Sequence, residues 1–188
     1  MRNDRERPWQ IESSEVLHTN PYFSVLRQQV NGASRQHEYF SLAFPNPAVG
    51  ILARRGTDFL FVHQYRVLID EFVWAIPSGG VAPGEPLVDA AAREFHEETG
   101  MRAGVVRPLM HCYASYGCSN QRFEIFEARE VSATESSFDE EEVLSVRWFS
   151  RSEVMELVSR NEIVDNLSLS PILHALLMDT ETWTASQR

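Results

Sequence analysis

The segment that decides the fold is residues 79–101, which read GGVAPGEPLVDAAAREFHEETGM. Between residues 86 and 99 the apolar side chains recur at helical spacing, and Gly100 is a natural residue to end a helix. The pattern therefore predicts a helix over residues 86–99, preceded by a turn at Gly79 and Gly80.

Three carboxylates stand out on this predicted helix. Glu94 lies three residues before Glu97 and four before Glu98, so the three side chains project toward neighbouring parts of one surface. Like charges at this spacing repel, and helix stability alone does not require them. A solvated acidic face is the plain interpretation of a single glutamate pair, whereas converging hard oxygen ligands suit Mg²⁺ or Mn²⁺.

The spacing of the whole segment favours the metal interpretation. Seven residues stand at fixed offsets: Gly79, Glu85, Arg93, Glu94, Glu97, Glu98 and Gly100. This spacing is the complete signature of the Nudix box, so the chain resembles a Nudix hydrolase. Predicted N-terminal strands, the sequence Gln64-Tyr65-Arg66 and the run WAIPSGG at residues 74–80 extend the resemblance to the ADP-ribose pyrophosphatase branch.

Composition limits the classes of function. The 188-residue chain is 43% hydrophobic, enough for one domain with a small N-terminal addition, and its net charge of -10 argues against nucleic-acid partners. No apolar run is long enough to span a membrane, and residues 1–8 lack the apolar core of a signal peptide, so a cytoplasmic protein without a membrane partner is expected. Cys112 and Cys118 are expected to be reduced thiols, because no CxxC pattern accompanies them.

Strands dominate the predicted structure outside the box. Alternating apolar residues and turn signals predict strands at residues 9–18, 22–30, 37–44, 49–54, 59–65, 105–114, 122–131 and 143–149. Asn31-Gly32 is a strong hairpin signal between the second and third of these. Ser150 and Glu153 predict a capped helix over residues 151–160, and a last helix is expected at residues 169–178.

These elements fit a mixed sheet covered on both faces. The resemblance sharpens this to an α+β fold, a Nudix-type α/β/α sandwich with a mixed sheet, preceded by a small N-terminal antiparallel sheet. We expect an N-terminal strand extension at residues 1–45 for dimerisation and base binding. A catalytic domain at residues 46–180 and a tail at residues 181–188 would follow.

The resemblance implies roles for the residues of the box. It implies four metal ligands: the side chains of Glu94, Glu97 and Glu98 and the backbone carbonyl of Ser78. Adjacent charges on a diphosphate repel an attacking hydroxide, and divalent ions neutralise them. Glu85 and Arg93 would form a structural carboxylate–guanidinium pair, and Gly79 and Gly100 would be structural as well.

The identity of the general base is open. In parts of the family it is the glutamate after the arginine, here Glu94, whereas in ADP-ribose pyrophosphatases it comes from a late acidic loop, here residues 139–142. A carboxylate near bound cations stays ionised and can accept a proton from water. We predict Glu140 as the base, with Glu142 as a metal ligand or alternative base; otherwise the acidic run is a solvated loop.

Candidate substrate ligands lie outside the box. Arg66 is the predicted ligand of a phosphate or of the terminal ribose, because a guanidinium binds oxygens in a bidentate manner. Tyr39 is a candidate for contact with adenine, as are the other aromatic residues of the early strands, Tyr22, Phe23 and Phe40. In this branch those strands commonly exchange across a homodimer, so a homodimer is expected, and the same aromatic residues could instead serve core or interface.

Two positions depart from the ADP-ribose pattern. Tyr116 replaces a typical proline, and a tyrosine near this point is associated with dinucleoside polyphosphate hydrolases; Gln121 replaces a usual glutamate. The sequence predicts divalent-metal-dependent hydrolysis of a nucleoside diphosphate-sugar, foremost ADP-ribose to AMP and ribose 5-phosphate. The alternatives are another nucleotide sugar or a dinucleoside polyphosphate, with Tyr116 at the substrate, or a non-catalytic nucleotide sensor.

Overall fold

A computed structural model of the protein describes residues 9–32 and 34–185. Its strands are β1 (Gln10–Thr19), β2 (Ser24–Asn31), β3 (Gln36–Ala43), β4 (Ala48–Arg55), β5 (Asp58–Arg66), β6 (Glu71–Ala75), β7 (Ser78–Gly80), β8 (Met101–Tyr113), β9 (Arg122–Ala133) and β10 (Ser145–Phe149). Its helices are α1 (Leu87–Thr99), α2 (Arg151–Ser159) and α3 (Asn166–Ala185). The chain divides into two compact units, and each unit combines two segments that are separate in the sequence.

The first unit contains the described residues up to Pro45 together with Tyr113–Gln121. Its three strands form an antiparallel sheet in the order β1-β2-β3. The segment after β8 is tied to β3, because the backbone N–H of Leu42 donates to the carbonyl of Cys118 and that of Phe44 donates to the side chain of Asn120.

The hairpin between β2 and β3 is present, but its turn is longer than Asn31-Gly32 predicts. Asn31 pairs with Gln36, so the chain reverses between these two residues. The Gly32 N–H donates to the Arg35 carbonyl across this loop. Strand pairing therefore sets the turn length here, and the Asn-Gly pair supplies only its first residue.

The second unit contains Asn46–Cys112 and the described residues from Arg122 onward, and it carries a mixed sheet. The strand order is β10-β5-β4-β9-β8, with β6 pairing β5 and β7 pairing β4. The β4–β9 pairing is parallel, whereas β4 pairs antiparallel with both β5 and β7. The predicted turn at Gly79 and Gly80 is wrong, because both residues are in β7 and pair with Val49 and Ala48.

Alternation along the central strands divides the buried core into two clusters. Val49, Ile51 and Ala53 of β4 belong to the cluster that packs against α1, whereas Leu52 belongs to the cluster packed against α2 and α3. Leu60 of β5 joins the first cluster and its neighbours Phe59 and Phe61 join the second. Successive residues of a strand point to opposite faces, so this arrangement is the predicted sandwich of helices on both faces of the sheet.

The first two helices agree with the predicted ones, whereas the last helix is longer than predicted at both ends. Ser150 and Glu153 form the predicted capping box at the start of α2. The last helix begins at Asn166, three residues before the predicted start, because the Asp165 carboxylate accepts the N–H groups of Leu167 and Ser168. It also continues past the predicted end at residue 178.

Two further features of the described residues bear on the sequence predictions. No described helix combines the length and apolar character that crossing a membrane requires. Cys112 and Cys118 both carry free thiols, and Cys118 is exposed.

Gly100 ends α1 in the left-handed conformation, with φ of 66°. A Cβ at this position would lie 2.6 Å from the Ser136 carbonyl oxygen, whereas a Cβ at Gly84, where φ is 78°, meets no atom within 4 Å. Either alanine carries a left-handed backbone cost of roughly 1–2 kcal/mol. Because Gly100→Ala must also displace backbone, we expect it to lower the free energy of unfolding by about 1–3 kcal/mol more than Gly84→Ala does.

Urea unfolding of the two variants measures this difference. Equal losses of stability would show that packing against Ser136 contributes nothing and that backbone conformation alone requires Gly100.

Candidate active site

A cavity of about 610 Å³ in the second unit collects the acidic residues of α1 and of the loop between β9 and β10. Its lining includes five carboxylates: Glu94, Glu97, Glu98, Asp139 and Glu142. His96, Ser137 and Phe138 complete the lining. Two segments that are about forty residues apart in sequence therefore share one acidic cavity, and such a concentration of negative charge is suited to binding cations.

The acidic loop is attached to the C-terminal end of α1 by backbone contacts. The Asp139 N–H donates to the Glu97 carbonyl at 2.9 Å. Thr134 donates to the Gly100 carbonyl through both its N–H, at 3.3 Å, and its hydroxyl, at 2.7 Å. These bonds fix the position of Glu142 relative to the helix, and its charge contributes to the raised pKa of Glu94, of which burial is the main cause.

Glu98 is the most enclosed carboxylate of the cavity, with 3% of its surface exposed. The Ser78 N–H donates to one of its oxygens at 2.8 Å and the Gln64 side-chain amide donates to the other at 3.0 Å. Burial raises the pKa of Glu98 to about 7, against the opposing effect of these two bonds and of the Arg66 charge. Glu98 is thus a desolvated carboxylate held at both oxygens.

This raised pKa predicts how the stability of the metal-free protein depends on pH. The folded form binds a proton that the unfolded form releases between its ordinary pKa of 4.5 and about 7, so stability falls as pH rises through this window. The shift corresponds to a cost on the order of 3 kcal/mol at full ionisation. We expect the free energy of unfolding in chelator to be higher at pH 5 than at pH 8, and expect Glu98→Gln to reduce this difference.

Arg93 connects four acceptors around the helix. It donates to both oxygens of Glu85, at 2.9 and 3.0 Å, which is the pairing that the sequence predicts. It also donates to Glu94 at 2.8 Å, to Glu97 at 3.0 Å and to the Gly80 carbonyl at 3.0 Å. The bonds from Arg93 and from the Ala82 N–H lower the pKa of Glu85 to about 2.

The carboxylates of the cavity are suitable ligands for a divalent ion, although their side chains do not converge as the ligands of a bound ion do. Among the described residues, no three His, Cys, Asp or Glu side chains stand at metal-binding geometry. Arg93 explains this arrangement, because one of its nitrogens bonds both Glu94 and Glu97 and so supplies positive charge between them. Carboxylate oxygens are the preferred ligands of Mg²⁺ and Mn²⁺, so the residues present fit such an ion.

Gly79 makes room for one of these carboxylates. A Cβ at residue 79 would lie 2.1 Å from the Glu94 carboxyl carbon, so any side chain here would displace the Glu94 carboxylate. At Gly80, by contrast, a Cβ meets no atom within 4 Å.

The structure separates the remaining predicted site residues. Glu140 and Glu142 are both exposed, but only Glu142 lines the acidic cavity. Arg66 lines a cavity of about 290 Å³ in the second unit, together with Ser78 and Asp165. In the first unit, the predicted substrate ligands Tyr39 and Tyr116 both line a cavity of about 400 Å³.

Gln64 is a site residue that the sequence analysis did not assign. It lies within the resemblance motif, but its role depends on a contact with a residue 34 positions away. One indication was available in the sequence. Residues 59–62 read FLFV, and Gln64 places a polar amide at the next position that alternation in this apolar strand would bury.

Comparison with known proteins identifies the family. The family model described as the NUDIX domain matches residues 44–167, which is about two thirds of the chain. The chain belongs to the NUDIX domain family. This Nudix protein is 29% identical over 173 residues to the ADP-ribose pyrophosphatase of Mycobacterium tuberculosis, an alignment that covers 89% of this chain and 83% of the relative.

Other relatives of the Nudix protein have different printed activities. A CMP-5'-(N-acetyl-N-hydroxy-3-aminopropyl)phosphonate hydrolase of Streptomyces rubellomurinus is 25% identical, over 83% of this chain and 76% of the relative. An RNA pyrophosphohydrolase of Rickettsia bellii is 34% identical but aligns with only 46% of this chain and 52% of its own length. A solved ADP compounds hydrolase matches with a TM-score of 0.78 at 18% identity, covering 98% of each chain.

Three predictions from the sequence are confirmed by these comparisons. The resemblance to the Nudix hydrolases and their ADP-ribose pyrophosphatase branch is confirmed, and so is the predicted fold. The chain is a Nudix pyrophosphohydrolase, as predicted.

Proposed function

We propose that this enzyme hydrolyses the diphosphate bond of a nucleoside diphosphate-sugar, with ADP-ribose giving AMP and ribose 5-phosphate, and that it requires Mg²⁺ or Mn²⁺. The observation that carries this proposal is the acidic cavity of Glu94, Glu97, Glu98 and Glu142 in a chain aligned over 89% of its length with an ADP-ribose pyrophosphatase. Nudix enzymes generally use divalent metals. A cavity lined by carboxylates would repel a diphosphate without cations, so the metal and the substrate are linked in this proposal.

The four glutamates of the cavity have proposed roles. Glu94, Glu97, Glu98 and the Ser78 carbonyl would hold the divalent ions, which when bound would neutralise the phosphate charge and make the attacking water more acidic. We assign the general base to Glu142 instead of Glu140, because Glu142 lines the cavity and is close enough to influence Glu94. Glu142 accepts the proton of the attacking water, and the loop bonds to α1 keep it in reach.

Arg93 and Glu85 keep the acidic helix and the preceding loop in register. The guanidinium bonds the Gly80 carbonyl, the Glu85 carboxylate and two carboxylates of the cavity. Arg93 would have to give up its bonds to Glu94 and Glu97 for these carboxylates to bind cations, whereas its two bonds to Glu85 would keep it beside the site. The bidentate bond to Glu85 therefore positions the charge that stabilises the metal-free cavity.

Arg66 is the proposed ligand of a substrate phosphate or of the terminal ribose. It follows Gln64 on the same face of β5, and its charge lowers the pKa of Glu98, so it acts near the carboxylate cluster. Tyr39 and Tyr116 are proposed to contact the base, since they line an apolar cavity in the first unit.

A second substrate class is favoured by a specific observation. The Streptomyces rubellomurinus relative acts, by its printed name, on a CMP-linked phosphonate and aligns with 83% of this chain. Tyr116 and Gln121 also depart from the ADP-ribose pattern. We therefore keep another nucleotide conjugate as the alternative substrate, with the same metal site.

We propose that the enzyme is a homodimer formed through the first unit. Its three-stranded sheet carries large exposed apolar side chains, among them Ile11 and Val16, which lie on the same face and are each 60% exposed. A sheet of three strands needs a covered apolar face to be stable, and a second copy of the chain supplies one.

A substrate panel tests the proposed activity. Turnover of ADP-ribose, other nucleotide sugars, CMP conjugates and diadenosine polyphosphates should be compared by release of phosphatase-sensitive product in Mg²⁺. We expect ADP-ribose to have the highest kcat/KM. A preference for CMP conjugates or diadenosine polyphosphates would replace the substrate assignment, and no turnover of any compound would support a nucleotide sensor.

A further inference from the structure

Gln64 is buried, with 2% of its surface exposed, and it belongs to neither hydrophobic cluster. It lies four residues beyond Leu60 on β5, and therefore on the face of the sheet that packs against α1. From there its amide nitrogen reaches the Glu98 carboxylate at 3.0 Å. A polar side chain in this position therefore contacts the most enclosed acidic group of the cavity.

The orientation of the Gln64 amide follows from the chemistry of its partner. As a metal ligand Glu98 is ionised and only accepts hydrogen bonds, so the NH₂ group of Gln64 must face it and the carbonyl oxygen must turn away. In that orientation the Oε1 atom is buried and has no hydrogen-bond partner among the described residues. A buried acceptor without a partner lowers stability, so this orientation serves Glu98 better than it serves the fold.

The two bonds to Glu98 act together. Ser78 donates to Oε2 at 2.8 Å from β7, and Gln64 donates to Oε1 at 3.0 Å from β5. Donors on two different strands fix both the torsion and the direction of the carboxylate, and they leave lone pairs on each oxygen. Groups that orient a metal ligand in this way typically change metal affinity when they are removed.

We propose that Gln64 is a positioning residue for the divalent ion, which orients the Glu98 carboxylate toward the cavity at the expense of its own unpartnered carbonyl oxygen. This inference rests on the proposed role of Glu98 as a metal ligand. It predicts a large effect on metal binding with little effect on stability in chelator, which a purely structural glutamine would not give.

Gln64→Met tests the proposal, because methionine has nearly the same length but lacks both the donor and the unpartnered acceptor. Mn²⁺ binding to the chelator-stripped protein is measured by electron paramagnetic resonance, together with thermal unfolding in chelator. We expect the Mn²⁺ dissociation constant to rise roughly 10–100-fold. The unfolding midpoint in chelator should change little, because removal of the unpartnered Oε1 of Gln64 offsets the loss of the donor to the buried Oε1 of Glu98. At saturating metal, kcat should change much less than the metal activation constant.

Tyr65→Phe is the matched control, since it removes a 2.7 Å bond to Asp70 from the next residue of the same strand. It should leave Mn²⁺ affinity unchanged. If Gln64→Met does not fold, Gln64→Asn retains the amide but is too short to reach Glu98, and the same loss of affinity is expected.

Unchanged Mn²⁺ affinity in Gln64→Met would overturn the role of Gln64, as would a loss of stability in chelator without a loss of affinity. Failure of wild type itself to bind Mn²⁺ would instead contradict the metal site of the proposed function. The two failures are therefore distinguishable.

Discussion

Replacing Glu98 by glutamine is expected to lower kcat/KM for ADP-ribose roughly 10³-fold, which corresponds to about 4 kcal/mol of transition-state stabilisation. Glutamine keeps the shape of the side chain but removes the negative charge from the proposed ligand set. Because Glu98 is the most enclosed of the carboxylates, an anion from the solvent cannot take the place of the lost charge.

The fold should tolerate this substitution. The amide oxygen of Gln at position 98 can still accept the Ser78 N–H, and its NH₂ group can donate to Gln64 once that amide rotates. The rotation gives the unpartnered Oε1 of Gln64 a donor. We therefore expect thermal stability in chelator equal to or above that of wild type, in contrast to the loss of activity.

Glu156→Gln is the matched control for charge, since Glu156 lies on α2 with 68% of its side chain exposed. Both variants remove one negative charge, but only Glu98→Gln should change turnover. Wild-type activity in Glu98→Gln would contradict the assignment of this residue as a metal ligand.

Replacing Gly79 by alanine is expected to lower kcat/KM roughly 10²-fold or more, the size of effect that a displacement of about 1 Å in a reacting group can cause. The new Cβ would lie 2.1 Å from the Glu94 carboxyl carbon and from one of its oxygens. Because these atoms are the end of a flexible side chain, the carboxylate moves and the backbone stays. The loss should therefore fall on activity and metal binding much more than on stability.

Gly80→Ala provides a control one residue away in the same strand. A Cβ at residue 80 meets no atom within 4 Å, so its activity should stay within about twofold of wild type, as is usual for surface substitutions. If both variants lost activity equally, backbone flexibility of β7 would explain the result, and the steric argument for Gly79 would be wrong.

The sequence predicted local structure best where the deciding contacts are themselves local. The predicted helix at residues 86–99 corresponds to α1 at Leu87–Thr99, because its apolar spacing and Gly100 lie within one segment. The capping box of Ser150 and Glu153 was predicted for the same reason, since it joins residues three apart.

Errors arose where contacts distant in sequence override local preference. Two consecutive glycines predict a turn, but pairing with β4 extends Gly79 and Gly80 into β7. The late predicted start of α3 has a local cause instead, because the Asp165 carboxylate caps the helix and it begins at Asn166.

Within the site, the motif predicted which residue types gather but not which of several similar residues faces the cavity. Glu140 and Glu142 cannot be distinguished by composition or charge. Their difference depends on the course of the loop after the Asp139 bond to Glu97. Gln64 was missed because its partner Glu98 is on another element, and a spacing rule within one segment cannot reveal that contact.

The most direct test of the proposed function is a metal titration of ADP-ribose hydrolysis by the chelator-stripped wild-type protein, with AMP and ribose 5-phosphate quantified as products. We predict no turnover in chelator, and equal amounts of AMP and ribose 5-phosphate at a rate that rises to saturation as Mg²⁺ is added. Undiminished turnover in chelator would contradict the role of the carboxylate cavity as a metal site, and cleavage to other products would contradict the proposed bond.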